Sequence, residues 1–486
     1  MKPALYILLL FGFLQASSQQ LKFSGEYKVS GRVEKAQILG KTSAGYIIRK
    51  IGDQEVLELY SSNLNFIKSK TVVVGNQQVI RAEIVGDNII FYCLNMDERK
   101  AYLNAVVVNS DLTHSSIRKE IDSFDLNEDE KSKNFKVTSS QGALLTAIVH
   151  VKEQDEDLKS IRVDVLNLNA EVEYRREINI VSEAAYRKVL RKTMLDNEGN
   201  AYLIVEKEPR SLSKSDDARA FTAYKVSKGN ETIGRDFYID KEIFDNPKII
   251  FDYTNKKIVF TCFIDESGSG EKGSTGVYLM KIGATDLSVE QKASSKFSKS
   301  FISKLTGKDT LFVQEKLLTF KIKDVLLDVA GNPIVIAESF FQTTESVPVT
   351  NNFFSNNTYP EYRNINVYNY NDLLLFWMNE SGQIGNSTIL RKKQVTEDDG
   401  GIYSSYITNN NGDKLNFIHT DMMNGNIDLV LQAVDETGHI DKKILIADLE
   451  RSNPVIAKMG KQVSMSELVL PCFRNSSFKL LKITFF

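Results

Sequence analysis

The stretch Gly268-Ser269-Gly270-Glu271-Lys272-Gly273-Ser274-Thr275 has the glycines and the lysine of a phosphate-binding loop. That loop needs its lysine directly after the second framing glycine, whereas Lys272 precedes Gly273, so the stretch reads as a loop between two strands. Zinc chemistry needs imidazoles or thiolates at short, regular spacing. His114, His150, His419 and His439 form no His-x-x-x-His pair and have no cysteine close by. Asp196-Asn197-Glu198-Gly199 resembles the start of a calcium loop but lacks the alternating oxygens and the distal glutamate, so it reads as a turn capped by its own aspartate. No Gly-x-Ser-x-Gly elbow is present. These residues assign no catalytic, cofactor-binding or metal-ligating role, and no cofactor is expected.

Recognition chemistry has a better candidate. Between Gly331 and Gly425 lies an insertion at about 341–370, dense in Asn, Tyr and Phe. Rigid aromatic anchors among adaptable polar residues are the composition of binding surfaces. Phe353, Phe354, Tyr359, Tyr362, Tyr368 and Tyr370 are the candidate partner-binding residues. The alternative reading, rings that merely cover the outside of a sheet, stays open.

The elements that must position these residues follow from a phrase that occurs twice. Leu195-Asp196-Asn197-Glu198-Gly199-Asn200 precedes an apolar run ending in Glu206, and Leu327-Asp328-Val329-Ala330-Gly331-Asn332 precedes one ending in Glu338. Asp bonds the backbone a few residues on and Gly supplies a positive φ, so each phrase is a turn that launches a strand. Turn-like positions followed by apolar runs recur at Gly45, Gly86, Gly142, Gly199, Asn255, Gly331 and Gly425, in steps of 41, 56, 57, 56, 76 and 94 residues. The near-equal central steps mark a repeat. Each run is continuous rather than alternating, as in Ile89-Ile90-Phe91-Tyr92 and Ile334-Val335-Ile336-Ala337, which is the pattern of a strand covered on both faces. After each run come a second β-rich stretch, another turn and a more polar stretch, so the unit is an antiparallel meander. Such meanders packed face to face predict an all-β fold, a β-propeller with seven blades preferred, forming a single domain; a six- or eight-bladed ring and a pair of smaller β domains are the rivals, because the first and last units are the least regular.

The phrase Leu-Asp-x-x-Gly-Asn, carried by Leu195 to Asn200 and Leu327 to Asn332, resembles the blade turn of secreted bacterial β-propellers. The Lys-, Asn- and Ile-rich, Pro-poor style resembles exported proteins of the Bacteroidota. The resemblance covers about Gly45 to Gly438 and singles out no one family. The turns at Gly86 and Gly142 lack the aspartate, and neither a Trp-Asp dipeptide nor a Kelch Gly-Gly pair marks the blades.

Lys2, an apolar run from Ala4 to Leu14, and small residues at Ala16 and Ser18 predict a signal peptide over 1–18 and a propeller over 19–486. The run is shorter than the ~20 residues that span a bilayer. Apolar residues make up 42% and charged residues 26% of the 486, enough to build a large core, and a formal charge of −2 argues against nucleic acid. The basic cluster Arg187-Lys188 with Arg191-Lys192 reads as solvated surface. Together these features predict an exported protein, periplasmic or associated with the outer membrane and less readily extracellular, that does not itself span the membrane. Its expected role is a non-catalytic binding or scaffold propeller of the cell envelope with a protein partner. By analogy, the setting is a soluble subunit of an outer-membrane secretion (type 9-like) or uptake assembly. The alternative is a glycan-active hydrolase or lyase, which requires two carboxylates about 5–10 Å apart at the rim.

Two further expectations test the repeat. Ring closure should join Gln20 to Val29 with Ser477 to Phe486, because open blade edges invite aggregation. Cys93 and Cys262 each lie 7 residues after their turns at Gly86 and Asn255, so they should be equivalent, distant, reduced and buried, with Cys472 in the closing blade.

Overall fold

A computed structural model gives the fold of the chain. It describes residues from Gln19 to Phe486, apart from 29–34, 53, 73–76, 98–99, 114–115, 126–133, 155–156, 211–218, 230, 240–241, 244–245, 266–272, 310–315, 349–361, 424–425, 450–453 and 475–476. The expected signal peptide and the loop around Gly268 to Lys272 lie outside the described residues.

The turns show how the sequence starts each sheet. Asp196 accepts the Asn200 amide at 2.7 Å on one carboxylate oxygen and the Asn200 side chain at 2.8 Å on the other, while Gly199 takes φ 84°. Asp328 holds Asn332 in the same way at 2.7 and 3.2 Å, with Gly331 at φ 80°. Asn379 and Asp435 cap similar reversals between third and fourth strands, bonding the Gln383 and His439 amides. A short polar side chain thus satisfies backbone donors that a tight reversal would otherwise leave open. The second and third strands of the sheets are largely buried on both faces, as in Ala201–Pro209 and Gly276–Gly283. Fourth strands such as Thr232–Ile239 alternate toward solvent.

Eight antiparallel sheets result among the described residues, each built on four principal strands. Blades 1 to 7 follow one another over 35–71, 78–125, 134–179, 186–239, 242–296, 320–397 and 406–446. Blade 8 combines Lys461–Ser464, Glu467–Arg474 and Ser477–Thr484 with the N-terminal strand Gln20–Phe23. Gln20 pairs with Thr484 and Phe23 with Leu481, so the two ends of the chain meet in one sheet as expected. Eight apolar clusters occupy the eight interfaces between neighbours, including blade 8 against blade 1 through Phe478, Leu480, Tyr46 and Tyr60. Eight sheets joined by eight interfaces form a closed β-propeller ring, with the first strands of the blades lying side by side around its axis.

The expected seven blades are therefore corrected to eight. Gly425 itself is outside the described residues, but Leu415–Met423 and Asn426–Val434 on either side are the second and third strands of blade 7. The hairpin of these two strands closes at the opposite rim, where Met423 pairs with Asn426. The launching turn of blade 7 is at Gly412, φ 97°, and an eighth turn follows Ser464. The insertion stretches the period just before these two turns, which hid them.

Candidate functional site

The insertion is a continuation of blade 6. Its second and third strands, Pro333–Pro348 and Tyr362–Met378, run on together beyond the blade, and Gln394–Glu397 pairs with Val367 to Tyr370 to flank them. The first strand, Phe320–Leu327, stops pairing at Ser339, and after the Phe340 amide donates to the Thr319 carbonyl at 3.0 Å, 341–348 is paired on one side only. Phe341 to Ser346 are all exposed. Of the six aromatic residues singled out from sequence, Phe353, Phe354 and Tyr359 lie outside the described residues. Tyr362 is 63% exposed at the far end of the extension, and Tyr368 is half-buried. Tyr370 is buried at the root, 4.7 Å from Phe340 between ring centroids, with Lys323 and Lys458 near its face at 5.5 and 6.0 Å. A side chain at Gly401 would collide with this ring, which fixes glycine there beyond its φ of 68°.

Charges fasten the root. Glu338, wholly buried, lies 2.9 Å from the Lys392 ammonium and accepts the Ser405 hydroxyl at 2.7 Å. Lys392 also donates to Gln394 at 2.7 Å and to the Tyr370 carbonyl at 3.2 Å. Glu206, which ends the other copy of the repeated phrase, is likewise buried and pairs with Arg191 and Arg219. Each glutamate also meets a cation from a β-bulge on the first strand of its blade: Arg191 opposite Glu206, and Lys323 at 3.8 Å from Glu338. A bulge turns an extra side chain out of the ladder. The shared Glu was visible in the sequence; the bulged partners were not.

A second feature lies at the same rim, on the axis. The first strand of blade 5 is interrupted: Glu242–Ile243 and Lys248–Asp252 both pair with Lys257–Asp265, and Pro247, which has no N–H to give the ladder, stands just before the second piece. The interruption leaves a recess of about 440 Å³ walled by Arg191 and Lys192 of blade 4, Asn246 and Lys248 of blade 5, and Lys323 and Asp324 of blade 6. Asp324 is the one carboxylate among the lining residues, and it accepts the Tyr406 hydroxyl at 2.8 Å. The carboxylate pair that glycoside hydrolysis needs is not assembled in this recess. Burial, reinforced by neighbouring Lys248, lowers the pKa of Lys192. Burial and then Arg191 do the same to Lys136, whose ammonium donates to the Leu190 carbonyl at 2.6 Å. The basic cluster read as solvated surface is thus divided. Lys188 is buried and pairs with Glu183, Arg187 and Arg191 both reach Glu208, and Lys192 faces the recess.

No protein-family model matches the chain, and no curated protein matches it. The fold does find solved structures. The WD40 domain of SCAP from fission yeast aligns over 96% of this chain and 98% of its own, at 8% identity and a TM-score of 0.42. Synechocystis apocarotenoid oxygenase aligns over 89% and 94%, at 8% identity and 0.39. A Bacteroides caccae protein of unknown function aligns over 75% and 94%, at 8% identity and 0.28. The neighbours therefore include both a WD40 domain and an enzyme, and at these scores they carry no argument about activity. The propeller stands on its own strand pairing. Among the described residues, no helix is long and apolar enough to cross a membrane.

Proposed function

We propose that this chain is a non-catalytic binding propeller of the bacterial cell envelope, with the extension of blade 6 as its contact for a protein partner. One observation carries the reading: from Phe341 to Ser346 an ordered strand projects from a closed ring, exposed and paired along one edge only. An open strand edge is a template for a partner's strand, and natural folds cover or blunt such edges unless they are used. Tyr362, exposed at the outer end of the paired strands, adds an aromatic anchor. The ionic root at Glu338 and Lys392 holds the arm rigid, which lowers the ordering cost of binding.

Export is part of the proposal and is supported by the apolar run Ala4 to Leu14 with Ala16 and Ser18 behind it. The style of the sequence points to a Bacteroidota-like envelope. A soluble periplasmic or outer-membrane-associated subunit of a type 9-like secretion or uptake assembly fits both features.

The test is to join Gln342 to Tyr368, which are cross-strand partners, through an Asn-Gly turn, so that the arm is shortened while Tyr368 to Tyr370 keep their pairing with Gln394 to Thr396. In native gels of detergent-solubilised envelope, the full-length protein should migrate within a larger assembly and the shortened protein as a monomer. Full-length protein found only as a monomer, or a shortened protein that still enters the assembly, would overturn the reading.

A further inference from the structure

The axial recess gathers more cations than counter-charges. Arg191 is engaged by Glu206 and Glu208. Lys323 shares the single carboxylate of Glu338 with Lys392, so two ammonium groups lean on one anion. Asp324 is committed to the Tyr406 hydroxyl. Lys192 and Lys248 have no carboxylate partner among the described residues, although they line the same recess from adjacent blades and lie within electrostatic reach of each other. The positive charge of Lys248 disfavours a second charge on Lys192, so the two ammonium groups repel each other across the recess. An anion seated between the two charges would relieve that repulsion.

We infer that the recess binds a small polyanion bearing phosphate groups or several carboxylates, held by Lys192 and Lys248 with Arg191 and Lys323 behind them. The volume of about 440 Å³ suits a small molecule and falls within the usual range for ligand pockets. A recess of this size between three blades is too small to seat a nucleic-acid duplex, in keeping with the overall charge of −2. The positive field is local and comes from geometry: the interrupted strand of blade 5 opens the space, and the first strands of blades 4 and 6 supply the flanking cations. Lysine ammonium groups suit this role because they bind phosphate or carboxylate as mobile point charges. This site does not depend on the blade 6 arm or on a protein partner.

The experiment is calorimetric titration of the full-length protein with pyrophosphate and, separately, with citrate, at ionic strength fixed with chloride. Lys192→Gln, Lys248→Gln and the double substitution are compared with Lys443→Gln, an exposed residue on the outer strand of blade 7. At least one anion should bind the unmodified protein and raise its melting temperature. Each single recess substitution should weaken binding several-fold, and the double at least tenfold, while Lys443→Gln changes nothing. Pyrophosphate favoured over citrate indicates a phosphate ligand, and the reverse a carboxylate. In the absence of anion the double variant should melt at the same temperature as the unmodified protein or above it, since a repulsion has been removed. No binding of either anion, or binding that survives the double substitution, overturns the inference.

Discussion

The Lys392 ammonium lies 2.9 Å from the Glu338 carboxylate, and neither side chain has any solvent exposure. Burial drives the pKa of Lys392 down while Glu338 opposes the shift, so the pair is held by geometry as much as by charge. Removing one member leaves an uncompensated ion inside the protein. Lys392→Met or Glu338→Leu alone should each cost about 3–5 kcal/mol in denaturant unfolding, and the double substitution should cost clearly less than either. Single losses no larger than that of a surface pair, below about 1 kcal/mol, would refute a buried ionic root.

Ring closure predicts a graded response at the two ends. Ser477–Thr484 is an interior strand of blade 8, and Phe478, Leu480, Leu481 and Ile483 are all wholly buried at the interfaces with blades 7 and 1. Truncation from Ser477 should abolish the cooperative thermal transition. Deletion of Gln20–Phe23 removes only an outer strand and should lower the melting temperature while the ring stays folded. Equal effects of the two deletions would contradict this order of strands.

The cysteines report the register. Cys93, Cys262 and Cys472 sit on the second strands of blades 2, 5 and 8, each facing the preceding blade, and all three are reduced and buried. Burial pushes the thiols of Cys93 and Cys472 up to about 12. Thiol titration of the denatured, unreduced protein should find three thiols per chain, and the native protein should react slowly at pH 8, because thiolate is the reactive form. A Cys93–Cys262 disulfide would be incompatible with sheets three blades apart.

Two histidines should make the ring acid-sensitive. His419 donates from Nδ1 to the Thr420 carbonyl at 2.9 Å and accepts the Gln432 amide on Nε2 at 2.8 Å, an arrangement that requires the neutral ring. Burial pushes its pKa down to about 4. Burial, then Arg162 and Lys152, push that of His150 down to about 4 as well, against the pull of Asp122 and Glu177. An unfolded chain protonates its histidines near pH 6.5, a proton the native state refuses until about pH 4. The stability these rings contribute is therefore complete above pH 6.5 and is lost progressively as the pH falls to about 4, each ring giving up roughly 1.4 kcal/mol for every pH unit crossed in that window. Denaturation midpoints measured from pH 7 to 4.5 should fall, and the slope should flatten in a His150→Gln/His419→Gln variant. An unchanged slope would assign the acid sensitivity elsewhere.

Local grammar is written in the order of the amino acids. The caps at Asp196 and Asp328, the glycines at positive φ and the doubly apolar runs depend on neighbours within a few residues, and they sufficed to identify the blade unit and the closing strands. The aromatic insertion was legible as an irregularity of the period, because extra length in a repeat has to leave the sheet. Three things required the assembled ring. The blade count rose to eight because the closing sheet draws strands from both ends of the chain, and because the insertion displaced the turn at Gly412 from the expected spacing. Tyr370 became an anchor because Phe340, Gly401 and two lysines converge on it from separate segments. The axial recess gathers Lys192, Lys248 and Lys323 from three blades. In sequence these lysines stand among ordinary surface charges, and only closure of the ring, with the strand interrupted at Pro247, turns them toward one space where their charges add.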